Sequence, residues 1–343
     1  MAEITVMGAG IFGLSVAWAC LRRGAHVRVI DPAGPGAGAS GGVVGALAPH
    51  VPENWNPKKA FQLDSLLMAE AFWAGVEEAG GVSSGYGRTG RIQPIADDAA
   101  LALAEARAGT ARTLWQDHAT WQVIAAEDAP WAPASPSGKL IHDTLSARIH
   151  PRRACAALTA AITTAGGEIL TEGVPRGPVI WATGAHDLAE MTARHSRLVG
   201  QGIKGQAALL HFDGPKLPQL FADTLHIIPH ADGTVAIGST TERDFSDPTD
   251  TDAQLDDIIE RAMQAVPVLH GARIVERWAG LRPRSRSRAP MLGAHPMRPG
   301  AYIANGGFKI GFGMAPKVAE VMADLVLEGR DTIPQDFKPE ASL

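Results

Sequence analysis

The stretch ITVMGAGIFGLSVAWACLRRGAHVRVID, residues 4–31, contains in succession an apolar strand, a glycine-rich turn, an apolar helix and a second strand. In that context Gly8 makes the turn, Gly10 lets the backbone approach a pyrophosphate, and Gly13 lets the helix pack closely on the strand. Asp31 ends the second strand, where a carboxylate can accept hydrogen bonds from a ribose diol. The stretch therefore predicts a dinucleotide-binding βαβ unit.

The glycine-rich loop does not choose between NAD and FAD, because both dinucleotides use it. Arg28 lies before the acidic residue and Pro32 follows it, which leaves little provision for a 2′-phosphate. The choice of cofactor therefore depends on signals elsewhere in the chain.

The composition excludes several functional classes. The 343 residues contain 31 Lys and Arg against 36 Asp and Glu, and the formal net charge of −5 disfavours nucleic acid as the main partner. Cys20 and Cys155 are far apart and form no CxxC, which excludes a disulfide framework and a cysteine zinc site, and no other metal site is predicted. No stretch approaches the roughly 20 apolar residues of a membrane span, and no secretion signal is visible, so we expect a cytoplasmic protein.

Several further stretches carry a family resemblance. They are GAGASGGVVGALAPH (36–50), VIWATGA (179–185), HIIPHADGTVAIGSTTE (226–242), ERWAGLRPRSRSRAPMLG (276–293) and ANGGFKIGFGMAPKVAEVMADLVL (304–327). Together with residues 4–31, they resemble the D-amino-acid oxidase superfamily of flavoproteins and, within it, the glycine oxidase and sarcosine oxidase branch. The resemblance spans nearly the whole chain and implies FAD as the cofactor. We expect non-covalent FAD, because the C-terminal segment has no cysteine that could attach the flavin.

The resemblance implies a mixed α/β and α+β fold, in which a Rossmann-like FAD-binding domain is interleaved with a substrate domain on a mainly antiparallel sheet. Nucleotide-binding elements lie at both chain ends and in the middle, with β-rich segments between them. We predict that residues 1–55, 145–205 and 270–343 form the FAD-binding domain. Residues 56–144 and 206–269 then form the substrate domain.

Four residues are implied on the substrate side. The family's carboxylate-binding arginine falls on Arg282, whose planar fork suits a carboxylate. Lys309 stands where the glycine oxidase branch has arginine; it would bind the carboxylate, stabilise negative charge on the reduced flavin, or remain a plain exposed lysine. His226 stands where the family has a tyrosine, and His50 ends the flavin-facing loop. A histidine can change charge near neutral pH, although a lone histidine is more often structural, so both roles stay open.

The resemblance also implies cofactor contacts, and the glycine-rich turn at 306–313 is expected to wrap the isoalloxazine with a helix N-terminus aimed at it. The segment 166–178 is short where the family has a β-hairpin, which predicts a trimmed adenine side. The implied contacts are Gly8, Gly10, Ile11, Phe12, Gly13, Asp31, Pro32, Ala39, Ser40, Gly45, Ala46, Val174, Gly184, Gly307, Phe308, Ile310, Gly311, Phe312 and Gly313.

The implied activity is FAD-dependent oxidation of the C–N bond of a small amino acid or N-substituted amino acid, of the glycine, sarcosine or D-amino-acid type. Hydride transfer to flavin N5 would give an imine that hydrolyses. The expected partners are a small amine that carries a carboxylate and O2 or another electron acceptor, and homo-oligomer formation is left open.

Two alternatives remain at this stage. One is the FAD subunit of a hetero-oligomeric amine dehydrogenase. The other is an oxidase of a more acidic or tRNA-borne amine, which the run Arg284, Arg286 and Arg288 favours. Charge runs are more often solvated faces.

Overall fold

Two large β-sheets organise the chain in the computed structural model, which describes residues 2–343. The strands are β1 (Glu3–Met7), β2 (His26–Ile30), β3 (Ala46–Leu47), β4 (Arg91–Pro94), β5 (Trp121–Ala125), β6 (Lys139–Asp143), β7 (Ala147–Arg148), β8 (Glu168–Leu170), β9 (Val179–Trp181), β10 (Gly200–His211), β11 (Gln219–Ala222), β12 (Leu225–Pro229), β13 (Thr234–Gly238), β14 (Ile274–Ser285), β15 (Met291–Ala294) and β16 (Tyr302–Asn305). The helices are α1 (Ile11–Arg22), α2 (Pro57–Gly80), α3 (Asp98–Trp115), α4 (Pro151–Thr164), α5 (Ala185–Arg194), α6 (Ala253–Ala265) and α7 (Gly311–Glu328).

The six-stranded sheet runs in the order β15-β16-β9-β1-β2-β8 and is parallel except for the pair β15 and β16. Helices α1 and α7 pack on it and on each other, and α1 also contacts α4. The parallel strands β1, β2 and β9 all end at one edge of the sheet, where ligands bind in open α/β folds. The predicted βαβ unit is confirmed, and its helix α1 begins at Ile11.

Side-chain caps and glycines set the helix ends as the sequence indicates. The Asn56 side chain accepts the Lys59 N–H at 3.0 Å and caps α2, whose C-terminus is followed by Gly81 at a left-handed φ of 66°. Helix α3 is capped in the same way, since the Asp97 side chain accepts the Ala100 N–H at 2.8 Å, and its buried face continues through Ala111 to Trp115.

The eight-stranded sheet runs in the order β14-β10-β13-β12-β11-β4-β6-β5 and is antiparallel except for the pair β11 and β4. Strands β10 and β14 have 12 residues each and pair along most of their length, with Ile203 opposite Arg282. The predicted domain limit at 205 therefore falls inside β10, and the predicted segment 270–343 takes in β14. Both strands belong to the eight-stranded sheet, and β14 brings Arg282 from that sheet to the turns that follow the parallel strands.

The segment 166–178 contains the short edge strand β8 and turns, and no second strand follows β8 before β9. This agrees with the missing hairpin that the sequence predicts there. The two sheets, one mainly parallel and one mainly antiparallel, confirm the predicted mixed fold class. Within residues 2–343, no helix combines the length and the apolar character needed to cross a bilayer.

Candidate active site

A cavity of about 1140 Å³ lies between the two sheets. Its walls include Gly8 and Asp31 from the turns that follow β1 and β2, and His226 and Arg282 from strands of the second sheet. A cavity of this size at the carboxyl edge of a parallel sheet has the position of a dinucleotide site.

The glycine turn after β1 cannot carry side chains at two positions. Gly8 has a φ of +105°, and a Cβ there would lie 2.5 Å from the Ala182 carbonyl oxygen. A Cβ at Gly13 would lie 1.9 Å from the Gly8 carbonyl oxygen. Ser40 Oγ accepts the Ile11 N–H at 2.9 Å, but no acidic residue lies in the first turn of α1, so the positive end of the helix dipole is not neutralised by a carboxylate there. The turn therefore fits a pyrophosphate.

Asp31 is placed to receive a ribose. Its Oδ2 accepts the Ala9 N–H at 2.8 Å and its Oδ1 accepts the Ala33 N–H at 3.0 Å, which fixes the carboxylate and leaves lone pairs for a diol. Arg28 is turned away, since its Nε donates to Glu168 at 2.8 Å. The guanidinium is thus not available at the site of a 2′-phosphate.

The loop before α7 forms a second cradle. A Cβ at Gly307 would lie 2.9 Å from the Gly311 Cα and 3.0 Å from Cζ of Phe12, so only glycine fits this close approach. The Phe308 N–H donates to the Pro283 carbonyl at 2.9 Å and ties the loop to β14. Helix α7 begins without a side-chain cap or an acidic residue in its first turn. The loop and the helix end together fit a flat ring that accumulates negative charge.

Arg282 lines the cavity and is held from three directions. Its Nη1 donates to Ser239 Oγ at 2.7 Å, and its Nη2 donates to the carbonyls of Thr240 at 2.5 Å and Lys204 at 3.3 Å. A Cβ at Gly205 would lie 2.1 Å from Nη2, so this glycine leaves the groove that the guanidinium occupies. Burial lowers the pKa of Arg282 to about 10, which keeps it cationic at neutral pH.

A buried network that the sequence analysis missed supports this arginine. Lys204 Nζ lies 3.7 Å from Glu242 Oε2 and 3.9 Å from Asp252 Oδ2. The Gln206 amide donates to both carboxylates, at 3.1 Å and 2.9 Å, and its backbone N–H donates to the Thr240 hydroxyl at 2.8 Å. The network fixes the carbonyl groups that receive the guanidinium. Its signal in the sequence is the pair Lys204 and Gln206, two positions apart and both buried within β10.

Lys309 lies at the wall of the same cavity. Its Nζ donates to Thr241 Oγ1 at 2.8 Å. The residue is exposed overall, but partial burial of the ammonium, together with repulsion from Arg282, lowers the pKa of Lys309 to about 8. Lys309 can therefore lose its charge near neutral pH, whereas Arg282 cannot.

His226 lines the cavity from β12, with its ring centroid 4.9 Å from that of Phe221. Burial lowers its pKa to about 3, and repulsion from Arg91 and Lys309 adds to the effect. Its Nδ1 is buried without a hydrogen-bond partner in the part of the chain that the structure describes. His226 is thus a neutral hydrogen-bonding group and not a charged one.

His50 does not line this cavity. Its backbone N–H donates to Gln62 Oε1 at 2.8 Å, its Nδ1 contacts the same oxygen, and burial lowers its pKa. Gln62 also donates to the Ala48 carbonyl at 3.2 Å. His50 therefore has the contacts of a structural residue that ends a loop.

Most of the residues implied by resemblance meet at the cavity. Those that line it are Gly8, Gly10, Ile11, Phe12, Asp31, Pro32, Ala39, Ser40, Gly45, Ala46, Gly184, His226, Arg282, Gly307, Phe308, Lys309, Gly311 and Phe312. Gly13, His50, Val174, Ile310 and Gly313 do not line it, and Val174 is 77% exposed. Their assignment as cofactor or substrate contacts remains a prediction, although Gly13 acts on the turn through close packing.

Relatives of known function are similar over part or most of the chain. The glycine oxidase of Pseudomonas putida is 33% identical over 143 residues, which cover 41% of this chain and 39% of that protein. The glycine oxidase of Geobacillus kaustophilus is 24% identical over 94% of this chain and 92% of its own length. The chain thus aligns with less than half the length of the first of these relatives.

Two solved structures share the fold. The crystal structure of glycine oxidase from Geobacillus kaustophilus has a TM-score of 0.85 at 20% identity and covers 98% of both chains. The structure of iminodiacetate oxidase from Chelativorans sp. BNC1 has a TM-score of 0.86 at 22% identity, also over 98% of both chains. A family model described as "FAD dependent oxidoreductase" (DAO) matches residues 3–325, and the chain therefore belongs to the DAO family of FAD-dependent oxidoreductases.

Proposed function

We propose that this FAD-dependent oxidoreductase oxidises the C–N bond of a small amino acid or N-substituted amino acid whose carboxylate is bound by Arg282. The observation that carries the proposal is a fixed, half-buried guanidinium in the wall of a cavity whose other walls fit FAD. The similarity to proteins named glycine oxidases supports a small amino acid as the substrate.

FAD, when bound, supplies a two-electron acceptor, so that the amine loses a hydride equivalent and a proton and the resulting imine is hydrolysed by water. The residues of this chain contribute binding and orientation. Gly8, Gly10 and the start of α1 would hold the pyrophosphate, Asp31 the adenosine ribose, and the loop at 306–313 the isoalloxazine.

Arg282 has a donor left for a ligand. Its Nε–H is buried and has no partner among residues 2–343, and an unsatisfied buried donor costs on the order of 1–3 kcal/mol. A substrate carboxylate would satisfy this donor and gain a charge-assisted hydrogen bond. The guanidinium is already fixed by Ser239 and Thr240, so little side-chain entropy is lost when the carboxylate binds.

His226 would orient the substrate without repelling it. Because its pKa is about 3, the imidazole is neutral at physiological pH, and its unpartnered Nδ1 is free to exchange a hydrogen bond with the substrate. The cavity wall thus combines a permanent cation at Arg282 with a neutral polar group. This suits an amino acid that enters with a charged carboxylate and a neutral amine.

The test is anaerobic reduction of the FAD-loaded protein by glycine, sarcosine, D-alanine and L-proline. We expect at least one of these amines to bleach the flavin. Arg282→Ala should lower kcat/KM for that amine by about 10²- to 10³-fold, the cost of removing one partner from a buried charge pair, while the flavin stays bound. No bleaching by any carboxylate-bearing amine, or equal rates in Arg282→Ala, would overturn the proposal.

A further inference from the structure

Three cations surround one aromatic ring at the cavity wall. The ring of Phe308 lines the cavity, and its centroid lies 5.7 Å from Cζ of Arg282, 5.6 Å from Cζ of Arg284 and 5.8 Å from Nζ of Lys309. Cations over an aromatic face are stabilised by the ring quadrupole. That attraction holds each cation near the ring but does not neutralise any of them.

The positive charge continues outward from the ring. Burial lowers the pKa values of Arg284 and Lys58, and repulsion from neighbouring cations adds to the effect: Arg288 and Arg243 act on Arg284, and Arg288 acts on Lys58. Lys58 Nζ donates to the Arg288 carbonyl at 2.5 Å. We call Lys309, Arg284, Arg288, Arg243 and Lys58 the cationic rim.

The rim has no counterion within the described part of the chain. Among residues 2–343, no carboxylate lies within ion-pairing distance of any of its five members. The protein as a whole is acidic, with a formal net charge of −5, so the rim does not reflect its average charge. Like charges held together without an anion repel one another, and an anionic ligand would relieve that repulsion.

The arginine run itself divides into two sides. Arg284 faces the Phe308 ring, whereas the exposed Arg286 donates to the carbonyl oxygen of the C-terminal Leu343 at 3.1 Å. Strand β14 ends at Ser285 and the chain turns at Arg286, so the alternation of the strand does not continue through the run. Arg284 therefore lies beside a ring of the cavity wall, and Arg286 provides a matched cation that does not.

We propose that the substrate carries a second acidic group, which binds at the cationic rim between Lys309 and Arg284 while Arg282 holds the first carboxylate. The substrate class is then an amino dicarboxylic acid or an N-carboxyalkyl amino acid. This inference rests on the proposed function and names the substrate class of the same site. A small diacid is favoured over a polyanion, because Lys309 lies at the cavity wall and Arg284 shares its aromatic ring.

The test compares each diacid with the monoamide that lacks only its second carboxylate, on the FAD-loaded protein. The pairs are iminodiacetate against its monoamide and D-aspartate against D-asparagine, each of which differs by one charge at almost constant shape. We expect kcat/KM for anaerobic flavin reduction to be about tenfold or more higher for the diacid of at least one pair. The ratio should fall as salt is raised, since part of the rim is open to solvent.

Variants then assign the preference to the rim. Arg284→Gln should lower the diacid-to-amide ratio by about two- to fivefold, and Arg286→Gln, which removes the same charge two residues away, should leave the ratio unchanged. The inference is overturned if the amides react as well as the diacids, or if both variants change the ratio equally. Loss of all flavin reduction with every amine would instead count against the proposed function, so the two failures are distinguishable.

Discussion

The cofactor end and the substrate end of the cavity are held in place by different kinds of interaction. At the cofactor end, backbone shape dominates: glycines at positions 8, 13 and 307 allow approaches that no side chain would permit. At the substrate end, buried side chains dominate, with Lys204 and Glu242 behind Arg282. A substitution at the first end should therefore abolish binding through a steric clash. A substitution at the second end should change charge and hydrogen bonding, and so weaken binding to a graded extent.

The largest expected effect is at the cofactor end. Gly13→Ala places a Cβ 1.9 Å from the Gly8 carbonyl oxygen, and the backbone of the phosphate turn cannot give way without losing its shape. We expect purified protein with little or no bound flavin, measured as visible flavin absorbance per chain. Gly109→Ala is the control, because a Cβ at this helical position meets nothing within 4 Å. Retention of full flavin in Gly13→Ala would show that the turn is softer than its geometry indicates.

The next effect is at the substrate end. Lys204→Met leaves Glu242 buried without its cation, and removal of one partner from a buried pair costs about 3–5 kcal/mol. We expect a lower free energy of unfolding and a raised KM for the amine, with flavin still bound in the folded fraction. Arg261→Ala breaks the half-exposed pair with Asp223 and should cost at most about 1 kcal/mol. Equal losses in the two variants would mean that the buried network does not support Arg282.

A smaller effect follows from the titration of Lys309. Its pKa of about 8 means that its charge is present below that pH and lost as the pH rises through it. We expect KM for a carboxylate-bearing amine to rise by about three- to tenfold above pH 8 in the wild type. The rise should be absent in Lys309→Met and displaced to higher pH in Lys309→Arg. A rise that persists in Lys309→Met would assign the titration to another group.

The smallest effect concerns stability in acid. Because the pKa of His226 falls from 6.5 to about 3 on folding, the unfolded chain binds more protons in that range, and stability is lost as the pH decreases from 6.5 toward 3. His226→Phe should therefore lose about 2–4 °C less in Tm than the wild type between pH 7 and pH 5. The pKa values of His150 and His230 are also lowered by burial, so these residues still contribute to the dependence of Tm on pH in the variant. Identical slopes in the two proteins would contradict the buried neutral state of His226.

The cofactor end was largely predictable from the sequence, and the substrate end was not. The turn from Gly8 to Gly13, the helix it opens and Asp31 are adjacent in the chain, and each needs a particular residue for a local reason. Arg282 was found only through its family motif. The groups that hold it come from residues 204–206 and 239–242, which are distant in sequence and become neighbours through strand pairing.

The same distinction applies to the domain limits and to the histidines. The predicted limit at 205 divides β10, and the predicted segment 270–343 includes β14 because its motif resembles a flavoprotein segment, whereas the hydrogen bonds of both strands lie in the second sheet. His226 and His50 are indistinguishable as lone histidines in a sequence. Only the fold places the first in the cavity wall and the second against Gln62.

The groove at Gly205 has an evolutionary consequence. Arg282 can lie against its neighbouring strand only while position 205 has no side chain, since even a methyl group there would meet the guanidinium at 2.1 Å. Residues 205 and 282 are therefore expected to vary as a pair among descendants of this protein. A lineage that loses the arginine is released from the glycine, and a lineage that first gains a side chain at 205 displaces the guanidinium without any mutation at 282.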